Sequence, residues 1–578
     1  MESPELGSHL TAANRLLRLA AQLDIKYIFT NLGSDHPAFI EAFAELHQSG
    51  QAMPQVIICP HEMTALSAAH GYAMITKKAQ MVLVHVDVGT QNLGCSVHNA
   101  ARARIPAIIV AGLSPTSVFG DQVGARTEFI HYTQDTSRQH EIVSQYMKWC
   151  YEARSPEMME EVLLRGHQIA SSLPQGPVYI TGTRELWEGR AKHTLQALNA
   201  WAPAALPSVG ADELAHLAKT LAQAQRPLII TSYLGRNTES VNALIQIVDH
   251  VGVAVCEVNP HYMNFPGDHV CHIGYRRNSL VNEADVIVLI DVDVPWIVSK
   301  VAPNPTCQIF HLDSDPLKRD FGFWHFPSHH TWTCDSHSTL SKLLPLIQAE
   351  VIETQDHQTR MKWIANAKIK LKLQDMPTPS DGAINIQQLS EAIKELVNDK
   401  TVIVFEEPTA TERLQYTLKM SRPGSYLANG GSGLGWSINA AIGVKLADPQ
   451  AEVITVVGDG SYVFGVPSSC YWVGETYRAP QLTIVFNNKG WNAPKASTLL
   501  VHPEGVAKNT DHFWITVSAN TKFADLAKAA GNALAIRVEK YEDLKTSLAL
   551  AMQTVRAGQS AVVDVVTLPI SKQILGTE

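Results

Sequence analysis

The chain has 578 residues, of which 45% are hydrophobic and 17% are charged. At roughly 150 residues per domain, this length predicts three or four domains with enough apolar material for several buried cores. Asp and Glu outnumber Lys and Arg by 55 to 46, which argues against a broad nucleic-acid surface because phosphate binding needs a clustered basic excess. The sequence contains no run of about 18 apolar residues, so no transmembrane helix is expected.

The first block alternates helical and extended segments. Helical periodicity predicts helices over 10–23 and 63–75. The extended segments are short, apolar on both faces and followed by Gly, Pro or polar residues, which is typical of buried parallel strands. The predicted strands of this block are 27–29, 56–59, 81–84, 107–110 and 176–180.

Two later blocks repeat this alternation. Pro-rich segments over 188–210 and 376–382 indicate linkers between the blocks. The sequence therefore predicts an α/β fold of three domains with mostly parallel sheets, in which the first and last blocks are candidates for distant structural copies. The predicted strands are 227–231, 253–255, 286–290 and 308–312 in the middle block and 402–404, 453–457, 482–486 and 561–566 in the last.

The ends of the chain and its cysteines indicate the compartment. The first five residues are acidic and lack the basic and apolar regions of a secretory signal, which predicts a cytoplasmic protein. Eight cysteines are scattered without a CxxC pair, a pattern that predicts reduced thiols rather than a disulfide framework or a zinc site.

Two turns of the last block carry the strongest chemical signal. The turn 458–461 (Gly-Asp-Gly-Ser) and the turn 487–490 (Asn-Asn-Lys-Gly) each follow a predicted buried strand. Ligands of open parallel sheets bind off the carboxyl ends of the strands, so both turns should lie on one edge. Glycines allow a diphosphate to approach the backbone, and a helix predicted after Ser461 would point its N–H groups at it.

Asp459 and Asn488 add the oxygen ligands that Mg²⁺ prefers. The alternative is that both motifs are ordinary turn residues. The occurrence of both motifs, each at the end of a strand, favours a site for a diphosphate and a metal ion.

These turns resemble the signature of thiamine diphosphate enzymes. The segments 30–34, 59–65 and 430–436 resemble further segments of the family of 2-oxo acid decarboxylases and acetolactate synthases. The resemblance runs over nearly the whole chain. It implies a pyrimidine-binding domain over 1–188, a central Rossmann-like domain over 205–350 and a diphosphate-binding domain over 383–578.

The resemblance assigns roles to individual residues. Glu62 matches the glutamate that hydrogen-bonds the aminopyrimidine ring, although a charge that complements a helix dipole is the alternative. Leu434 matches the residue that props the cofactor into a V shape, and the carbonyl of Ser432 would accept from its amino group. The remaining cofactor residues implied are Gly33, Thr409, Gly458, Asp459, Gly460, Ser461, Asn488 and Gly490, and the implied Mg²⁺ ligands are Asp459, Asn488 and Gly490.

The substrate side resembles benzoylformate decarboxylase more than acetolactate synthase. The segment 84–92 lacks the Ser-Gly-Pro-Gly form of acetolactate synthases. In the comparison, Ser34, His85 and His269 match the decarboxylase's active-site serine and two histidines. The alternative is that the histidines are hydrogen-bonded core residues.

Other segments depart from the family patterns. The run 490–495 (Gly-Trp-Asn-Ala-Pro-Lys) differs from that of acetolactate synthases, so the substrate pocket is expected to be distinct. The adjacent histidines of pyruvate decarboxylases have no match, because His329 and His330 lie in the middle block. That block has no GxGxxG motif, so FAD is not assigned to it.

The resemblance implies a lyase or carboligase that depends on thiamine diphosphate and Mg²⁺ and acts on a small-molecule carbonyl substrate such as a 2-oxo acid. It also implies a homodimer or homotetramer, with no nucleic-acid or membrane partner. Two alternatives remain. A catalytically degenerate regulatory subunit is disfavoured by the presence of Glu62, Asp459 and Asn488 together. An unrelated nucleotide- or NAD-binding enzyme that uses the middle block is disfavoured because that block has no Gly-rich fingerprint.

Overall fold

A computed structural model describes residues 9–192, 197–275, 278–516 and 520–569. Its strands form three six-stranded parallel sheets and one two-stranded antiparallel pair. This architecture confirms the predicted fold class.

The strands are β1 (His9–Thr11), β2 (Tyr27–Thr30), β3 (Gln55–Ile58), β4 (Gln80–Val84), β5 (Ala107–Leu113), β6 (Trp149–Glu152), β7 (Pro177–Thr183), β8 (Arg190–Lys192), β9 (Pro227–Thr231), β10 (Ala254–Glu257), β11 (His272–Gly274), β12 (Val286–Ile290), β13 (Gln308–Asp313), β14 (His330–Thr333), β15 (Thr401–Glu406), β16 (Tyr426–Ala428), β17 (Glu452–Gly458), β18 (Leu482–Asn487), β19 (Leu534–Val538) and β20 (Ala561–Val566).

The α-helices are α1 (Ala12–Gln22), α2 (Pro37–Gln48), α3 (Glu62–Thr76), α4 (Asp87–Asn92), α5 (Ser96–Arg102), α6 (Ile130–Thr133), α7 (Met159–Ser171), α8 (Arg184–Glu188), α9 (Ala211–Gln223), α10 (Thr238–Val251), α11 (Asn278–Val281), α12 (Ser336–Ala349), α13 (Thr354–Lys370), α14 (Ile386–Lys394), α15 (Thr411–Leu418), α16 (Ser437–Ala447), α17 (Asp459–Phe464), α18 (Pro467–Thr476), α19 (Asn492–Val501), α20 (Val506–Thr510), α21 (Phe523–Gly531) and α22 (Tyr541–Arg556).

The first and last sheets share one topology. Their strand orders are β3-β2-β4-β5-β7-β6 and β16-β15-β17-β18-β20-β19, so the chain visits the same positions in the same sequence in both. The central sheet has the order β11-β10-β9-β12-β13-β14, which is the doubly wound arrangement of dinucleotide-binding folds. The first and last blocks therefore have the relationship expected of structural copies.

In each sheet the strand order reverses between two neighbouring central strands. These strands are β2 and β4 in the first sheet, β9 and β12 in the central sheet and β15 and β17 in the last. A crevice forms at such a switch point, off the carboxyl ends of the strands. Seven of the fourteen predicted site residues follow these strands, and they are Gly33, Ser34, His85, Thr409, Asp459, Gly460 and Ser461.

The central strands form because their residues are apolar on both faces. Every residue of β9, β12 and β18 is buried, and the bounds of β9 and β12 match the prediction. Strands such as β14, in which burial is only partial, lie at sheet edges. The cores are therefore built around the strands that were predicted.

The first and last domains pack against each other through α3 and α16. The ring of His70 lies 5.1 Å from that of Trp436, and the backbone N–H of Ile58 donates to the hydroxyl of Tyr477 at 2.8 Å. All eight cysteines are free, which agrees with the predicted reduced thiols. Among the described residues, no helix is long and apolar enough to cross a membrane.

Candidate functional site

Glu62 begins α3, directly beyond the carboxyl end of β3. His61 caps this helix by accepting a hydrogen bond from the N–H of Met63 at 3.2 Å. The Glu62 side chain is buried, and its partners are two amides: Asn31 donates to Oε1 at 3.0 Å and Asn92 donates to Oε2. The fold thus buries this carboxylate against neutral donors.

His85 lies beyond β4, on the other side of the first switch point. Its Nδ1 contacts the buried carboxylate of Asp35, and its Nε2 is 3.1 Å from Oε1 of Gln134. Asp35 also accepts from the N–H of Val86 at 3.2 Å. His85 is therefore anchored on both ring nitrogens.

The other two predicted substrate residues lie in different surroundings. Ser34 is next to Asp35, and its buried hydroxyl has no hydrogen-bond partner among the described residues. His269 lies in the central domain between β10 and β11, where Nε2 is 3.0 Å from Asp249 and Nδ1 accepts from Cys271. Its contacts in this chain thus lie within the central domain.

Asp459 joins the two predicted turns of the last domain. Its Oδ1 accepts from the N–H of Gly460 at 2.7 Å, and its Oδ2 accepts from the N–H of Gly490 at 2.9 Å. The helix expected after Ser461 begins earlier, at Asp459, with Gly458 at the N-cap. The difference arises because Asp459 and Gly460 already adopt helical geometry, which places the carboxylate in the first turn.

Asn488 connects these turns to the loop after β15. Its amide nitrogen lies 3.4 Å from Oγ1 of Thr409, and its Oδ1 accepts from Asn492 at 2.6 Å. Thr409 in turn donates to the carboxylate of Glu407. The structure therefore brings Asp459, Asn488 and Thr409 to one edge of the last sheet, as the sequence predicts.

Buried carboxylates are concentrated at this edge. Burial raises the pKa of Asp459 to about 6 and that of Glu407 to about 7, and the charge of Asp459 adds to the effect on Glu407. Burial also raises the pKa of Glu406 to about 7, although the N–H groups of Gly435 and Ser437 oppose it. A bound cation would stabilise the ionised forms of Asp459 and Glu407.

The loop of Ser432 and Leu434 contacts the first domain. Asn99 donates to the carbonyl of Gly433 and accepts from its N–H, both at 3.0 Å. The thiol of Cys95 donates to the carbonyl of Leu434 at 3.4 Å. The segment 92–99 therefore connects Glu62, through Asn92, with the loop that carries the predicted thiazolium residues.

Sequence reasoning missed several residues of these clusters. Asn31 and Asn92 lie inside the segments that resemble the family, so their positions were a signal that could have been used. Glu407 and Asn492 were also missed, although they lie only two and four residues from Thr409 and Asn488. The other missed residues lie 29 or more positions from their partners and gave no local pattern, and they are Asp35, Asn99, Gln134 and Glu406.

Two family models match the chain. The N-terminal TPP binding domain of thiamine pyrophosphate enzymes matches residues 10–142. The C-terminal TPP binding domain of the same enzymes matches residues 409–565. Together they cover half of the chain and include the clusters around Glu62 and Asp459.

Relatives of known function are similar over most of the chain. Benzoylformate decarboxylase of Pseudomonas aeruginosa is 23% identical over 81% of this chain and 84% of its own length. The acetolactate synthase large subunit of Haemophilus influenzae is 22% identical over 93% of this chain and 91% of its own length. These two relatives catalyse different reactions, so the similarity does not select between them.

Solved structures share the fold. Benzoylformate decarboxylase of Polynucleobacter necessarius has a TM-score of 0.79 at 20% identity and covers 97% of this chain and all of its own. The thiamine diphosphate-dependent 4-hydroxybenzoylformate decarboxylase of Rhodococcus jostii RHA1 has a TM-score of 0.77 at 19% identity, over 97% of this chain and 99% of its own. The whole three-domain arrangement is thus shared with these enzymes.

Proposed function

The chain belongs to the thiamine pyrophosphate enzymes, and we propose that it uses thiamine diphosphate and Mg²⁺ to cleave the bond between the carboxylate and the carbonyl carbon of a 2-oxo acid. The observation that carries this proposal is the buried carboxylate of Glu62 held by two neutral amides. The remaining carbonyl fragment is then protonated or transferred to a second carbonyl compound.

The residues at the edge of the last sheet fit the diphosphate and its metal ion. Asp459, Asn488 and the carbonyl of Gly490 form an all-oxygen donor set, which suits Mg²⁺. At Gly460 a Cβ atom would lie 2.2 Å from Nε1 of Trp491, so a side chain at this position would displace the indole ring. Thr409 adds a hydroxyl beside Asn488.

The first domain would hold the other end of the cofactor. Bound thiamine diphosphate supplies a nucleophilic carbon and an electron sink for C–C cleavage. Asn31 and Asn92 fix both oxygens of Glu62, so this carboxyl group is held in one defined orientation. Its position off β3 is at the carboxyl edge of the sheet, where ligands of such folds bind.

His85 and Ser34 are proposed to face the substrate. Both follow strands at the first switch point, and His85 is positioned by Asp35. His269 is proposed to reach the substrate only in an assembly, because its contacts in this chain lie within the central domain.

We propose that two copies of the chain complete the site, so that Glu62 of one copy and Asp459 of the other act on one cofactor. Among the described residues, no hydrogen bond joins the Glu62 cluster to the Asp459 cluster in one chain. Large apolar side chains are also exposed in both domains, including Phe119 and Phe129 in the first and Leu500 and Trp514 in the last. A second copy would cover such surfaces.

The proposal is tested by binding and turnover together. The purified protein is loaded with thiamine diphosphate and Mg²⁺, its cofactor is identified by mass spectrometry, and CO₂ release is measured with aliphatic and aromatic 2-oxo acids. Asp459→Ala should weaken Mg²⁺-dependent cofactor binding by more than about 10²-fold, because it removes a charged ligand and the partner of Gly490. Glu452→Gln is the control, since Glu452 lies at the opposite end of β17 and pairs with Arg556 at the surface.

Binding that is unchanged in Asp459→Ala would contradict the assigned site. A protein that binds the cofactor but releases CO₂ from none of the acids would favour the regulatory-subunit alternative. Bound NAD, with no thiamine diphosphate taken up, would overturn the proposal.

A further inference from the structure

The first switch point holds a histidine–carboxylate pair, His85 and Asp35. Asp35 follows β2 and His85 follows β4, and the carboxylate of Asp35 contacts Nδ1 of His85. The second carboxylate oxygen accepts from the N–H of Val86 at 3.2 Å, which fixes its orientation. The pair is therefore built from two loops that the sheet brings together.

Two glycines make room for the side chains of Asp35 and His85, because neither glycine has a side chain of its own. At Gly33 a Cβ atom would lie 2.1 Å from Nδ1 of His85, and at Gly112 it would lie 1.6 Å from Oδ2 of Asp35. Any other residue at either position would displace the pair. The surrounding backbone is thus shaped for this contact.

The second ring nitrogen of His85 also faces an acceptor. Nε2 lies 3.1 Å from Oε1 of Gln134, an atom that can only accept. Nδ1 faces a carboxylate, which also accepts. Acceptors on both sides favour a ring with protons on both nitrogens, which is an imidazolium.

We propose that Asp35 is a positioning residue that holds His85 as an imidazolium, so that its Nε2–H exchanges Gln134 for the carboxylate or carbonyl oxygen of a bound 2-oxo acid and then supplies the proton of the aldehyde product. This inference rests on the proposed function. The net reaction converts R–CO–COO⁻ and H⁺ into R–CHO and CO₂. The C–COO⁻ bond breaks, a C–H bond forms at the same carbon, and His85 loses the Nε2 proton and regains it from water.

The charges around His85 support this protonation state. Burial alone would lower the pKa of His85, but Asp35, Gln134 and Asp87 raise it above its ordinary value. Burial would raise the pKa of Asp35, but His36 and His85 lower it. Burial lowers the pKa of the neighbouring His36.

The direction of the pH dependence follows from these shifts. His85 is charged below its raised pKa and becomes neutral as the pH rises through that value. Activity that needs the imidazolium is therefore lost on the alkaline side. Removing the charge of Asp35 moves this loss to lower pH.

The test is Asp35→Asn in the loaded enzyme. The alkaline limb of kcat/KM should move to lower pH by about 1 to 3 units, and the NMR titration of ¹³C-labelled His85 should move in the same direction. Turnover above the new midpoint should fall by about tenfold per pH unit, while acidic conditions restore it. Asp135→Asn, on the loop beside Gln134 and paired with Arg126, is the matched control and should leave both profiles unchanged.

Unchanged profiles in folded Asp35→Asn would overturn the inference. If this variant does not fold, the titration of His85 in the unaltered enzyme is the test. The inference requires a pKa of His85 above the ordinary value of about 6.5. An ordinary or lower pKa of His85 would contradict the inference. If the unaltered enzyme turns over no 2-oxo acid, the proposed function fails. The titration of His85 still tests the pair in that case.

Discussion

An ion-pair cluster of the central domain and the carboxylate of Glu62 in the first domain are both buried, but their partners differ. In the central sheet, Lys318 lies 2.6 Å from Asp313 and 3.0 Å from Asp293. Arg104, from the first domain, adds a contact to Asp293 at 2.7 Å. In this cluster Lys318, Arg104, Asp293 and Asp313 each meet an opposite charge.

In the first sheet the buried carboxylate of Glu62 meets only amide donors among the described residues. Its charge is therefore solvated by dipoles and is not neutralised by a cation. A buried carboxylate without a cation beside it is available to a bound ligand, whereas the removal of one charge from a buried ion pair mainly costs stability. The two regions differ in the partners of their buried charges more than in the number of those charges.

The largest effect is expected at Glu62. Glu62→Gln keeps the shape of the side chain but removes the exchangeable carboxyl proton, so turnover should fall by at least about 10²–10⁴-fold with every 2-oxo acid. The melting temperature should change little, because one asparagine keeps a carbonyl oxygen as acceptor and the other can turn its own carbonyl oxygen towards the new amide group. Steady-state kinetics and thermal unfolding on the same preparation measure the two quantities.

Glu160→Gln is the matched control in the same domain. Glu160 is also buried, but it pairs with Arg15 at 2.9 Å. Its loss should lower the free energy of unfolding and leave the turnover of folded molecules near that of the unaltered enzyme. The opposite pattern, with activity lost at Glu160 and kept at Glu62, would contradict the comparison.

A substitution in the cluster of Lys318, Asp293 and Asp313 is expected to change only the stability of the protein. Lys318→Met removes the cation between Asp293 and Asp313, which should lower the free energy of unfolding by about 3–5 kcal/mol. Cofactor binding by the folded protein should be unchanged. Denaturant unfolding and cofactor titration check the two statements, and a loss of cofactor affinity in folded Lys318→Met would show that the central cluster is not purely structural.

The sequence was most informative where burial was complete. Strands such as β12 and β20 have the predicted bounds, because a short run of mostly β-branched apolar residues is typical of a parallel strand that is buried on both faces. The edge strands β6, β14 and β19 were missed, since their half-exposed residues carry no continuous apolar run.

The candidate site shows the same division. Asp459 and Asn488 were predicted because they directly follow buried strands in short motifs. Asp35 and Asn99 were missed because their partners lie 50 and 334 residues away and are brought close only by the sheet and the domain contact. Sequence patterns thus predict the loops of a site better than the pairs within it.

The most direct test of this account is hydrogen exchange at the C2 carbon of bound thiamine diphosphate. The exchange with deuterated water is measured in the unaltered protein and in Glu62→Gln at equal cofactor occupancy and without substrate. If Glu62 is the carboxyl group that serves the cofactor, exchange should slow by at least about 10²-fold in the variant. Equal exchange rates in the two proteins would contradict the role of Glu62.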